Sequence, residues 1–207
     1  MGAAFLVLEG LDGAGTTTQT TLLANWLRKQ GTRVLETREP TAGRVGRVIR
    51  DVLAGVDGAP AVETLPWLFA ADRADHLWGD VEPALASEAY VVSDRYYASS
   101  LAYQTLTLPY SRVRALNADF RVPDLTLFLD VDVDECMRRI AARGGPTEIY
   151  ERRDRMEAIH ASYRTVMQHL REEGEPIVTI DGHMPIDAVT SAIVAEVEAR
   201  WSSWPDS

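Results

Sequence analysis

Lysine is almost missing from this chain: Lys29 stands alone against 20 arginines. Any cation the chain needs at a reactive centre must therefore come from arginine, which stays charged and grips phosphate oxygens in pairs. Cysteine is equally scarce. Cys136 has no second thiol to pair with, which excludes an intrachain disulfide and a cysteine-based zinc cluster and points to a reducing compartment, the cytoplasm. No run approaches the roughly 20 apolar residues of a membrane span. Met1 to Ala4 also lacks the basic group that opens a signal peptide. An excess of positive charge is absent as well, since 31 acidic residues outweigh 21 basic ones for a formal charge of −10. That balance argues against broad attachment to nucleic acid or acidic lipid, while a local arginine cluster can still hold a small anion.

What is present is enough for one substantial core. The 207 residues, 46% of them hydrophobic, read as a single domain over 1–201 with a frayed tail at 202–207. Strand-like apolar runs recur at Phe5–Glu9, Arg33–Thr37, Tyr90–Asp94, Leu125–Val131 and Pro176–Asp181. Helical spacing fits Thr17–Lys29, Val45–Ala54, Glu63–Ser87, Asp134–Arg143, Ile149–Glu173 and Ile186–Arg200. Pro66 and Pro83 mark a first turn or a kink in the third of these. Strands that alternate with helices imply an α/β fold with a parallel sheet covered on both faces. Ligands gather beyond the carboxyl ends of such strands. Those ends carry Glu9, Arg38-Glu39-Pro40, Asp94-Arg95, Asp130 with Asp132, and Asp181-Gly182.

The first strand runs into Gly10-Leu11-Asp12-Gly13-Ala14-Gly15-Thr16-Thr17, a phosphate-binding loop in every position but one: Thr16 stands where the pattern requires lysine. Glycines let backbone N–H groups close around an anion, and the helix that follows adds partial positive charge. Thr17 holds the hydroxyl position used for magnesium, with Thr18 beside it; the bland alternative is that Thr16, Thr17 and Thr18 only cap the helix. In Asp94-Arg95 the aspartate can orient magnesium and the arginine can bridge donor and acceptor phosphates, although the pair alone reads as a surface ion pair. Phe69, Arg73 and His76 share one side of a helix. Phe69 could stack on a base whose edge Arg73 reads; taken alone, the stripe reads as a packed phenylalanine beside solvated polar groups, with His76 structural. Arg138, Arg139 and Arg143 precede Gly144-Gly145-Pro146, and Glu148, Tyr150 and Glu151 then open a helix carrying Arg152, Arg153 and Arg155. This composition suits a flap that excludes water and delivers arginine, for which Arg143 is the candidate, or else an exposed hairpin.

Together these segments resemble the thymidylate kinase family, phosphate-loop enzymes that phosphorylate dTMP with ATP. The resemblance rests on Leu8 to Gly15, Thr37-Arg38-Glu39-Pro40, Phe69 to Ala74, Asp94-Arg95-Tyr96, Ser99 to Gln104 and Pro123 to Asp130, and it covers nearly the whole chain. It implies a nucleoside monophosphate kinase-like fold, with a five-stranded parallel sheet, helices on both faces and a short lid around 143–151. It further implies an ATP site made by Gly10 to Thr18 with Arg143, and magnesium at Thr17 and Asp94. The implied dTMP site comprises Asp12, Arg38, Phe69, Arg73, Arg95, Ser100, Tyr103, Gln104 and Glu151. In it Phe69 stacks on thymine, Arg73 reads the base edge, and Ser100, Tyr103 and Gln104 surround base and deoxyribose. Arg38 and Arg95 hold the acceptor phosphate, Asp12 lies between the two nucleotides, and Tyr103 disfavours a ribose hydroxyl. The family also implies a cytoplasmic homodimer.

Two departures bear on turnover. Thr16 replaces the loop lysine, and Ile149 occupies a position where many bacterial relatives carry a lid arginine. One unit charge about 4 Å from another is worth about 4 kcal/mol at an effective dielectric of 20, so uncompensated loss would slow transfer on the order of a thousandfold. Lys29, 13 residues past Thr16, is about 20 Å away along a helix and cannot repair the loop. The expected function is thymidylate kinase, with catalysis resting on Asp12, Arg95 and Arg143 and the missing charge supplied by the two arginines. The alternatives are a nucleotide-binding pseudokinase or regulator that keeps dTMP recognition, and a kinase for another pyrimidine nucleotide or nucleoside.

Overall fold

The computed structural model describes residues 3–144, 150 and 152–201. Five apolar runs form strands β1 (Phe5–Gly10), β2 (Val34–Arg38), β3 (Tyr90–Asp94), β4 (Leu125–Asp130) and β5 (Ile177–Asp181). All pair in parallel in the order β2-β3-β1-β4-β5. The central strand β1 is buried at every position, whereas the edge strands β2 and β5 are mostly half-exposed. A parallel strand covered on both faces must be apolar throughout, which is why the middle of the sheet is the plainest signal in the sequence.

The helices are α1 (Thr16–Lys29), α2 (Arg44–Leu53), α3 (Leu65–His76), α4 (Glu82–Ala86), α5 (Tyr97–Gln104), α6 (Tyr110–Leu116), α7 (Val133–Arg143), α8 (Arg153–Glu172) and α9 (Ile186–Trp201). The single helix expected over Glu63–Ser87 is instead a short 3-10 turn, α3, a widened π turn at Leu77–Val81 and α4. Pro66 and Pro83 each sit in the first turn of α3 and α4. Pro83 has no N–H to return to the preceding turn, so the helix widens there before it resumes.

Helices α5 and α6 carry no clear periodicity in the sequence. Seven of the eight residues of α5 are buried, polar ones included, because this helix lies between the core and the cleft. Helix α8 starts at Arg153, later than the expected Ile149, and Ile149 itself, with Glu148 and Glu151, lies outside the described residues. None of the described helices is long and apolar enough to cross a membrane.

Candidate active site

The ends of β1, β2 and β3 and the starts of α1, α5 and α7 surround a cleft of about 980 Å³, at the upper end of the usual size for a ligand site. Of the described residues expected at the site, all but Gly10 and Leu11 line it. Those two form the buried floor of the loop. Glu151 is outside the described residues, and of the lid only Arg143, Gly144 and Tyr150 are described.

Gly13 and Gly15 have φ of +86° and +100°, left-handed conformations that turn successive N–H groups inward and that only glycine adopts at low cost. Gly15 is itself the N-cap of α1, and no side chain caps that end. The capping alternative for Thr16 to Thr18 therefore falls, because all three lie within the first turn. Thr16 is buried, with its methyl 3.2 Å from where a Cβ on Gly10 would stand. It packs the loop and brings no charge.

Thr17 Oγ1 donates a short hydrogen bond to Asp94 Oδ2. The other oxygen, Oδ1, is buried without a hydrogen-bond partner among the described residues. A buried carboxylate oxygen left over beside a hydroxyl and a phosphate loop suits a hard cation, which takes oxygen ligands. Among the described residues no three His, Cys, Asp or Glu side chains gather to hold a metal, so a cation here would share its coordination with phosphate oxygens and water.

Asp94-Arg95 is not a surface ion pair. Arg95 turns away from its neighbour, and Nη2 donates to Asp12 Oδ1 at 2.7 Å while Nη1 reaches Gly10 O at 2.8 Å, Tyr163 OH at 2.9 Å and Ser99 Oγ at 3.1 Å. Its φ of +75° places it in the left-handed region, a strain that a site tolerates when the surroundings fix it. Burial opposes the guanidinium charge, but Tyr103, Tyr163, Asp12 and Asp94 hold its pKa well above the usual value. Tyr103 OH donates to the second Asp12 oxygen at 3.0 Å. Behind them, Glu9 accepts from Tyr96 N, Ser99 N, Ser99 Oγ and Tyr163 OH. Burial raises the pKa of the Glu9 carboxyl, against the pull of Arg95 and these donors. Glu9 had shown only as a rim residue in the sequence; its role as the support under Arg95 depends on groups 87 to 154 positions away.

The Phe69 stripe also differs from its bland reading. Phe69 is half-buried against Ile49, Val52 and Leu65 and lines the cleft, but Arg73 and His76 are not solvated: they are 1% and 2% exposed. Arg73 Nε and Nη2 bind Glu39 Oε2 at 2.9 and 2.7 Å, Nη2 also reaches Ser100 Oγ, and Nη1 donates to Asn117 Oδ1. His76 Nδ1 lies 3.0 Å from the other Glu39 oxygen and its Nε2 lies 2.7 Å from Thr37 Oγ1. One charge pair and its hydrogen bonds thus tie α3 to the end of β2. Beside it, Gln104 Oε1 is buried without a partner among the described residues.

On the opposite flank the groups are wetter. Arg138 and Arg139 both bind Glu135 at 2.7 Å, whereas Arg38, next to Glu39 at the end of β2, is exposed. Arg152 and Arg153 form exposed pairs with Asp154 and Asp134, as the hairpin reading expects. Arg143 is exposed at the end of α7. His183 is clasped between Asp181 and Asp132, each at 2.9 Å, and hydrogen bonds to these two carboxylates raise its pKa.

Comparison with known proteins gives the family. The family model described as Thymidylate kinase matches residues 8–193. A "probable thymidylate kinase" of Pyrococcus horikoshii is 38% identical over 199 residues, covering 94% of this chain and 95% of the relative. Another of Thermococcus gammatolerans is 40% identical over 202 residues, covering 94% and 95%. A third, of Pyrobaculum calidifontis, is 35% identical over 201 residues, covering 96% and 98%.

Proposed function

The chain belongs to the thymidylate kinase family, and from that premise we propose that it transfers the γ-phosphoryl group of ATP to dTMP, giving dTDP and ADP. The observation that carries the acceptor is the Arg73–Gln104 pair. Arginine is a donor only, and three of the five guanidinium N–H groups of Arg73 donate hydrogen bonds while Nη2 also pairs with Glu39, leaving one N–H on Nη1 for a base. That N–H suits the O4 carbonyl of thymine or uracil and is mismatched to the 4-amino group of cytosine. The unpartnered Gln104 carbonyl suits the adjacent N3–H. Phe69 supplies the face on which the ring stacks.

In this reading the loop N–H groups of Gly13 to Thr17 cradle the donor phosphates, with the N-terminus of α1 behind them. Arg95 and Arg38 face the acceptor phosphate, Tyr103 packs by the deoxyribose, and Glu151 and Arg143 close the site from the lid. An acceptor phosphate oxygen attacks the γ-phosphorus in line, and the bond to the β-phosphate oxygen breaks. Asp12 holds Arg95 at its working position. Thr17 and Asp94 would hold Mg²⁺, which when bound neutralises charge on the phosphate oxygens. In this reading the reaction runs in the cytoplasm, which supplies ATP and Mg²⁺. The assembly in this reading is a homodimer; light scattering should give twice the 22.9 kDa chain mass, and a monomer would remove this part.

Coupled ADP release with ATP, Mg²⁺ and each of dTMP, dUMP, dCMP and thymidine tests the proposal. dTMP should give the highest kcat/KM and dCMP one at least about a hundredfold lower, as expected when a buried donor meets a donor. Turnover of folded protein no faster than the blank with every acceptor sinks it.

A further inference from the structure

We propose that Arg139 supplies, from helix α7, the positive charge that the phosphate loop lacks at Thr16, by contacting the polyphosphate of a bound nucleoside triphosphate. The inference rests on the phosphoryl-transfer reading above. It starts from a contact with no side chain in it. A Cβ on Gly13 would come 2.6 Å from the Cys136 carbonyl oxygen, so α7 lies directly on the loop. Three residues further along the same helix face, Arg139 follows Cys136.

That register puts the guanidinium over the shoulder of the loop. Nη1 donates to Ala14 O at 3.2 Å, Nη2 to Gly182 O at 2.9 Å and Nε to Glu135 Oε1 at 2.7 Å. Nη1 stands 4.0 Å from where a Cβ on Gly15 would be. Three of its five N–H groups are occupied, which leaves one on each terminal nitrogen, the fork that binds phosphate oxygens. Main-chain carbonyls on two separate loops fix its orientation in advance.

The charge count on this flank favours the same residue. Glu135 is shared by Arg138 and Arg139, so the three side chains together carry one net positive charge, and all three line the cleft. Arg95, between the two flanks, is already matched by Asp12. A lysine at position 16 would approach the phosphates from inside the loop; Arg139 approaches from outside it, 123 positions later in the chain. No loop motif can display such a substitution.

A merely structural Arg139, tying Ala14 to Gly182, would also be damaged by mutation, so the test is a cycle. The full chain is prepared as wild type, Arg139→Gln, Thr16→Lys and the double variant, and ADP release is measured against ATP with dTMP saturating. Arg139→Gln should lower kcat/KM for ATP about a hundredfold or more, with dTMP affinity by calorimetry and thermal midpoint nearly unchanged. Thr16→Lys should raise kcat/KM for ATP at least about tenfold more in the Arg139→Gln background than in the wild type. Arg139→Lys, which keeps the charge without the fork, should fall between wild type and Arg139→Gln, and it serves if Arg139→Gln does not fold. The proposal is overturned if Arg139→Gln stays within about threefold of wild type, or if Thr16→Lys acts by the same factor in both backgrounds. Titration of a fluorescent ATP analogue without acceptor reads the same cycle as affinity. An enzyme that fails on dTMP but shows this coupling refutes the acceptor reading and spares this one.

Discussion

The two flanks of the cleft are built differently. On the acceptor side Arg73, Glu39, His76, Ser100 and Asn117 are all buried to 3% exposure or less and bound to one another. On the proposed donor side the charged groups are wetter: the Arg138, Arg139 and Glu135 side chains are 69%, 28% and 23% exposed. A nucleobase presents few polar atoms on an apolar ring, so discriminating it calls for a dry pocket with fixed donors. A polyphosphate presents charge on every side and has to enter and leave, which suits arginines that share their load with water. On the proposed function, selectivity therefore resides in the dry flank, and the loss of one lysine falls on the wetter flank, where other cations are near.

The sharpest test of that contrast is to remove one charge from each side. Arg73→Met leaves Glu39 buried without its partner and should destabilise the fold by about 3–5 kcal/mol, read from urea denaturation. Arg138→Ala should change it by less than about 0.5 kcal/mol. Similar losses at both positions would erase the distinction.

Between the flanks stands Arg95, where Asp12, Gly10 and Tyr163 meet. Arg95→Ala should cut kcat/KM on the order of a hundredfold to a thousandfold, because the group stabilises charge that moves from donor to acceptor. A loss confined to KM for dTMP would assign Arg95 to the acceptor side alone.

Gln104 sharpens the acceptor side in the opposite sense, since its carbonyl is buried and unpartnered. Gln104→Leu removes that polar atom, so the thermal midpoint should hold or rise. Steady-state kinetics should show kcat/KM for dTMP falling about tenfold to a hundredfold, from an unpaired N3–H. Stability lost together with unchanged kinetics would make Gln104 a packing residue.

Much of this was legible in the sequence for physical reasons. The central strands are apolar because both faces are covered, and the loop glycines show because their conformations admit little else. The acceptor residues could be placed on helices and strand ends, but not their burial: Glu39, Arg73, Ser100 and Asn117 meet across 27 to 44 positions. Helix α5 was hidden because burial on nearly every side leaves no alternation to read. Arg139 was one of three arginines in a short run, and only the close approach of Cys136 to Gly13 shows which of them rides over the loop.

The smallest expected effect belongs to His183, which lines the cleft. His76 is enclosed by Glu39 and Thr37, whereas the His183 side chain is 45% exposed between Asp181 and Asp132. Hydrogen bonds to Asp181 and Asp132 raise its pKa above the usual value of about 6.5; the two aspartates are shifted down first by backbone N–H groups, that of Glu135 for Asp132 and that of His183 for Asp181, and then by the His183 ring. A raised imidazole pKa adds stability that is complete below about pH 6.5 and fades as pH climbs through the folded value. The lowered carboxylates keep their share above about pH 4 and lose it as pH falls through their folded values. The difference in thermal midpoint between wild type and His183→Asn should therefore be flat from about pH 4 to 6.5 and shrink on the alkaline side. Solvent screening limits it to a degree or two, because exposed pairs contribute little and a chain of this size moves only a few degrees per kcal/mol. A difference of ten degrees, or one that persists unchanged to pH 9, would mean that the donor flank carries a buried, fixed network of its own, and the division between a rigid acceptor side and a wet donor side would fail at the residue where the two flanks are most alike in composition.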